Sequence, residues 1–153
     1  MKEQLYARLA AQADSLMSGE HDLIANMANV SALLFNHLDE VNWAGFYLFK
    51  DEQLVLGPFQ GQPACIRIPM GKGVCGTAAA ERKVQRIADV HAFDGHIACD
   101  AASNSEIVIP IIVDGDLVGV LDIDSPVFSR FDEEDEKGLT AIANLLVKSQ
   151  TTS

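Results

Sequence analysis

Apolar residues recur at helical spacing in three segments of the chain. Leu5, Leu9, Ala13 and Leu16 form the first series, and after Ser18-Gly19 the spacing resumes at Leu23, Met27, Val30, Leu34 and Leu38. Two N-terminal helices joined by a short turn are predicted, with His21 and His37 falling in these segments as structural residues. Leu139, Ile142, Ala143 and Leu146 repeat the pattern near the C-terminus. They follow an acidic run, Asp132-Glu133-Glu134-Asp135-Glu136. Carboxylates offset the positive end of a helix dipole, so the run reads as a helix start capped at Asp132 and not as an interaction patch.

Between these helices the period shifts to two. From Asn42 to Phe49, Trp43, Gly45, Tyr47 and Phe49 fall on one strand face and Ala44, Phe46 and Leu48 on the other. Leu54 to Leu56 is predicted as a short partner across Lys50-Asp51-Glu52-Gln53, and Ala64 to Pro69 as a third strand. In that strand Cys65 shares a face with Arg67, opposite Ile66 and Ile68. Ile107 to Val113 and Leu117 to Asp124 flank Asp114-Gly115, a tight-turn signal. Hairpins bracketed by terminal helices, in place of alternating βα units, predict an α+β fold with an antiparallel sheet.

With 153 residues, 48% hydrophobic and 22% charged, the chain reads as one globular domain over 1–153. No apolar run approaches the ~20 residues of a membrane helix. Met1-Lys2-Glu3-Gln4-Leu5-Tyr6 lacks a secretory apolar region, so a cytoplasmic location is expected. A net charge of −11 argues against nucleic acid as a partner, since phosphate binding needs clustered Lys and Arg. Three cysteines exclude a complete disulfide framework, and disulfides in a reducing cytosol are usually transient, catalytic or sensory.

The segment Gly95-His96-Ile97-Ala98-Cys99-Asp100-Ala101-Ala102-Ser103-Asn104-Ser105-Glu106 carries the densest chemistry. It sets a thiol between a histidine and an aspartate and ends on an acid that opens an apolar strand. His96 suits orientation or electrostatic support of a Cys99 thiolate. His91, His96, Cys99 and Asp100 fit no standard zinc spacing, so no metal is assigned. Cys75, beside Val74 and Ala78, reads best as a buried small hydrophobe, Cys65 less well, and Cys99 worst.

Asp122 and Asp124 share one strand face, about 7 Å apart, with Val118 and Val120. Two acids at a strand end are compatible with solvated turn formers. Glu106 on the neighbouring strand changes this, because three carboxyls beside apolar surface suit a cationic group or a retained proton. Trp43 and Tyr47 read either as core packing or as an aromatic wall for a small sulfur-containing ligand. Gly71-Lys72-Gly73-Val74-Cys75-Gly76 matches G-x-G-x-x-G, but no βαβ unit surrounds it. As a turn opening a helix it offers backbone N–H groups to a ligand carboxylate.

These features coincide with a known pattern. Asn42 to Tyr47, Gly57-Pro58-Phe59-Gln60-Gly61, Ala64 to Pro69, Gly71 to Thr77, Asp89 to Glu106 and Leu121-Asp122-Ile123-Asp124-Ser125 resemble the free methionine-R-sulfoxide reductases, which are stand-alone GAF-domain enzymes. The resemblance runs in register along nearly the whole chain. It implies a central antiparallel sheet with helices on one face and a ligand pocket on the other. It also implies a homodimer, reduction of free L-methionine-(R)-sulfoxide, and recycling by thioredoxin as external reductant with no bound cofactor. Carried over by position, Cys99 is the nucleophile, Cys65 the resolving thiol and Cys75 a possible second resolver. Glu106, Asp122 and Asp124 bind the polar end of the substrate, with Glu106 and Asp124 also placed among the catalytic groups. Trp43 and Tyr47 line the pocket near its methyl group.

Thiol chemistry supplies the expected mechanism: thiolate attack on the sulfoxide sulfur, protonation of the departing oxygen, and collapse of a Cys99 sulfenic acid to a disulfide. The rival is a GAF sensor that binds a cyclic nucleotide or chromophore without turnover. Such sensors normally sit beside an output domain, for which this chain has no room, and three thiols with three acids make a poor phosphate pocket. A thiol-based peroxide sensor is the third reading.

Overall fold

The computed structural model of the protein describes residues 1–95 and 102–151. Its helices are α1 (Lys2–Met17), α2 (Leu23–His37), α3 (Gly73–Glu81) and α4 (Glu133–Thr151). Its strands are β1 (Trp43–Lys50), β2 (Gln53–Gly61), β3 (Arg67–Pro69), β4 (Gln85–Ile87), β5 (Ser105–Val113) and β6 (Asp116–Ser125). They form a six-stranded sheet in the order β3-β2-β1-β6-β5-β4, and every pairing is antiparallel. This is the α+β arrangement expected from the sequence. An antiparallel sheet contains no βαβ unit, so the glycine motif of residues 71–76 is not a dinucleotide fingerprint.

Two hydrophobic layers lie on opposite faces of the sheet. Ala44, Phe46 and Leu48 of β1, with Ile107, Ile109, Leu121 and Ile123, pack against α1, α2 and α4. Trp43, Tyr47, Val108 and Val120 face the other way, against α3. The alternation along β1 is therefore real and separates a structural face from a site face. Burial of Met27, Val30 and Leu34 in α2 and of Leu139, Ile142, Ala143 and Leu146 in α4 follows the predicted spacing. In α1 the buried stripe is Tyr6, Leu9, Ala13 and Met17. The series ending at Leu16 is one residue out, because the helix turns Tyr6 inward to donate to Asp135 at 2.6 Å.

Asp135 explains why the acidic run holds a buried member. It accepts Lys2 Nζ at 2.7 Å and the Asp132 N–H at 2.9 Å, while the Asp132 carboxylate accepts the Asp135 N–H at 3.0 Å. This reciprocal capping starts α4 at the predicted place. His21 lies in the turn before α2, outside the helix, and its Nδ1 is 2.8 Å from the Ser149 carbonyl.

The strands differ from expectation where pairing overrides local pattern. β2 runs through Gly57-Pro58 to Gly61, whereas Gly-Pro suggests an end at Leu56. The register shifts between Gly45 and Tyr47, so Gly57 and Pro58 together oppose Phe46, and a bulge tolerates a proline without losing a ladder bond. β3 is three residues long and excludes Cys65, so the predicted sharing of a strand face by Cys65 and Arg67 does not hold. Ile66, expected opposite them beside Ile68, is exposed, whereas Ile68 is buried. A second irregularity, at Ile111/Ile112, moves Val118 to the helix-packed layer and Leu117 to the site layer. Val118 therefore does not share the face of Val120 as predicted. Strand β4, three residues against β5, carries no readable period in the sequence and emerges only from its pairing.

Candidate active site

The register of the central strands assembles the site. Trp43 opposes Asp124 and Gly45 opposes Asp122 across β1 and β6. Glu106 opposes Asp124 across β5 and β6. All three acids thus share the sheet face that carries Trp43 and Tyr47, and all three are buried. The carboxyl cluster beside apolar surface, expected from the sequence, is what the fold builds.

The aromatic wall is larger than the sequence suggests. Trp43 stacks on Tyr47 with centroids 5.9 Å apart and on Phe59 at 5.1 Å. Phe59 opposes Gly45, and a methyl group on Gly45 would overlap the Phe59 side chain. Gly45 is therefore a steric requirement, leaving the space that Phe59 fills. In the sequence Phe59 stands out only as part of a motif; its role becomes visible once the β2 bulge is known. Trp43 Nε1 donates to the Gln62 carbonyl at 3.1 Å, and the Tyr47 hydroxyl donates to the Cys65 carbonyl at 3.1 Å. The second bond ties Cys65 to the wall.

The cysteines divide. Cys65 is disulfide-bonded, and Cys75 is a free, buried thiol. Cys99, with His96 and Asp100, lies outside the described residues. Cys75 is not the bystander suggested by its apolar neighbours in sequence. Helix α3 turns it toward the acids, and its Sγ lies 3.8 Å from Glu106 Oε2. Sequence spacing carries no signal of this contact, which depends on how α3 crosses β5 and β6.

The glycine turn is more self-contained than expected. The N–H groups of Gly71, Lys72, Gly73 and Gly76 donate to the carbonyls of Gly76, Pro69, Gly95 and Lys72. Among the described residues, the N–H groups of this turn left without a backbone acceptor are those of Val74 and Cys75, in the first helical turn, where no intrahelical acceptor exists. The Gly73–Gly95 bond, 3.1 Å, fastens the start of α3 to the chain entering the Cys99 segment. His91 bonds Asn104 Oδ1 through Nε2 at 3.0 Å.

Burial controls the electrostatics. It raises Asp122 to about 8, with the charge of Asp124 adding to the effect. Burial and the Asp122 charge push Glu106 well above the usual carboxyl range. Cys75 is raised by burial and then by Asp122 and Glu106, so it is a thiol at neutral pH and a poor nucleophile. The cluster thus retains protons at neutral pH.

These shifts bear on stability. An acid whose pKa is higher folded than unfolded favours the fold most below its unfolded value, near 4, and progressively less up to its folded value. Asp122→Asn removes this dependence. Thermal melts should show variant and wild type diverging between pH 5 and pH 8, with the variant gaining on the order of a few kcal/mol. A constant difference across that window would show that Asp122 is not held protonated.

The fold is that of a GAF domain, whose family model matches residues 25–147. The free methionine-R-sulfoxide reductase of Escherichia coli is 59% identical over 152 residues, covering 99% of this chain and 92% of that protein. Among solved structures, fRMsr of Staphylococcus aureus in complex with substrate is 55% identical, with a TM-score of 0.92 over 95% of each chain. The Neisseria meningitidis free methionine-R-sulfoxide reductase in complex with its substrate is 43% identical, with a TM-score of 0.94 over 98% of this chain and 90% of that one. The chain belongs to the free methionine-R-sulfoxide reductase family.

Proposed function

We propose that this protein reduces free L-methionine-(R)-sulfoxide to methionine, with Cys99 as nucleophile and Cys65 as resolving thiol. The observation that carries the reading is the burial of Glu106, Asp122 and Asp124 on the face walled by Trp43 and Tyr47. Solvated turn formers would be exposed. Buried acids that keep protons can both release one to a departing oxygen and, once ionised, pair an ammonium group.

The Cys99 thiolate attacks the sulfoxide sulfur, and a carboxyl of the cluster protonates the oxygen. Protonated, that oxygen leaves as water, and the Cys99–sulfur bond is left as a sulfonium adduct. A water molecule then attacks Cys99 Sγ, breaking that bond to release methionine and leave a Cys99 sulfenic acid. The Cys65 thiol displaces water from the sulfenic acid to give a disulfide, which an external dithiol reduces by exchange. Cys65 being disulfide-bonded while Cys75 is a free thiol supports this division. The raised pKa of Cys75 argues against it as resolver. Thioredoxin is the proposed reductant, a homodimer the proposed assembly and the cytoplasm the proposed location; among the described residues no helix is long and apolar enough to cross a membrane. The cycle closes on thiols and carboxyls, and no bound cofactor enters it.

Racemic methionine sulfoxide tests the reading. With thioredoxin, thioredoxin reductase and NADPH, consumption should stop at half, leaving the S epimer. In that epimer the oxygen would face the aromatic wall and an acid would lose its partner. Each unsatisfied buried group costs on the order of 1–3 kcal/mol. Complete consumption at a single rate would overturn the pocket, and no consumption would overturn the activity.

A further inference from the structure

Helix α3 gives the carboxyl cluster a sulfur donor. One atom each of Cys75, Glu106 and Asp122 lie within 4.8 Å of one another, and all three residues are buried. Among the described residues, neither Glu106 nor Asp122 pairs with a Lys or Arg; the ion pairs of Lys2, Arg86 and Arg130 lie elsewhere. Asp122 is 5% exposed, and among the described residues its Oδ1 has no hydrogen-bond partner. A buried carboxyl oxygen without a partner leaves a coordination position that an ion can fill.

We propose that Cys75, Glu106 and Asp122 form a site for a thiophilic divalent cation of the zinc type, whose binding excludes the amino-acid substrate. Zinc takes thiolate sulfur at ~2.3 Å and carboxylate oxygen at ~2.0 Å, so tetrahedral donors stand ~3.5 Å apart. The Cys75–Glu106 separation of 3.8 Å is close to that value. One thiolate and two carboxylates suit zinc better than magnesium or calcium, which prefer oxygen alone. A dication competes with the protons that these buried groups retain more strongly than a singly charged ammonium does, and its binding releases them. The cation acts as an inhibitor and takes no part in turnover. Its exclusion of substrate rests on the proposed function; the metal site does not.

The full-length chain carrying Cys65→Ser and Cys99→Ser keeps Cys75 as its sole thiol and cannot consume substrate. Titrated with Co2+, it should develop thiolate-to-cobalt charge-transfer absorption in the near ultraviolet, saturating at one ion per chain and bleached by Zn2+. Adding Cys75→Ser should abolish the band. Asp122→Asn, with Cys75 retained, should weaken binding by about tenfold or more. Circular dichroism on both variants separates lost ligation from lost fold. Free methionine sulfoxide should displace the ion. Absence of a band in the parent, or a band surviving Cys75→Ser, overturns the metal site. A Cys75-dependent band unchanged by methionine sulfoxide that calorimetry shows to be bound overturns the exclusion. Failure of methionine sulfoxide to bind even without metal overturns the exclusion together with the proposed function, while the Cys75-dependent band still supports the metal site.

Discussion

Cys99→Ser is expected to release no methionine, even in a single turnover without reductant. A serine hydroxyl is essentially un-ionised at neutral pH and cannot replace a thiolate at the sulfoxide sulfur. Cys65→Ser should behave differently, releasing about one methionine per subunit and then stalling when thioredoxin is the reductant. The sulfenic acid forms normally in that variant but has lost its partner. Cys75 does not rescue it, because burial beside Asp122 and Glu106 keeps it a thiol. Methionine released in a reductant-free burst checks the first step in both variants, and a thioredoxin-coupled time course of Cys65→Ser checks the stall. A full burst from Cys99→Ser would remove Cys99 as nucleophile, and sustained turnover of Cys65→Ser would transfer the resolving role to Cys75.

Blocking the substrate nitrogen should have the other large effect. N-acetyl-methionine sulfoxide and a blocked dipeptide carry no ammonium charge and add bulk where the acids converge. Among the described residues no Lys or Arg pairs with Glu106 or Asp122, so the substrate is their proposed cationic partner. Leaving a buried carboxylate without its partner costs roughly 3–5 kcal/mol, or about two to four decades in kcat/KM. Protonation offers the acids a partial escape, since Asp122 already sits near 8, which places the expected loss toward the lower end. Equal kcat/KM for free and acetylated substrate would show that the acids do not read the amine.

The cysteines show how far sequence reasoning reaches. The neighbours of Cys75 mark it as a buried hydrophobe, and its burial is correct. Its contact with Glu106 is tertiary, made across 31 positions of sequence. The glycine turn likewise sits at a helix start, where its motif places it, but it has less donor capacity than the motif suggests. Four of its N–H groups close on backbone carbonyls, and local sequence does not show which amides a turn satisfies internally.

What the sequence determined by itself is what periodicity encodes. Spacing of three and four placed α2 and α4 and their buried faces. A period of two separated Trp43 and Tyr47 from Ala44, Phe46 and Leu48, and put Asp122 and Asp124 on one face. What only the tertiary structure decided is which faces meet. Bulges in β2 and β6 reversed the alternation at Phe59 and Leu117, and a one-residue shift moves a side chain to the other face of a sheet. The crossing of α3 brought Cys75 to the acids. Burial of Glu106 and Asp122 then raised their pKa values, since desolvation depends on everything packed around a group and not on its neighbours in the chain.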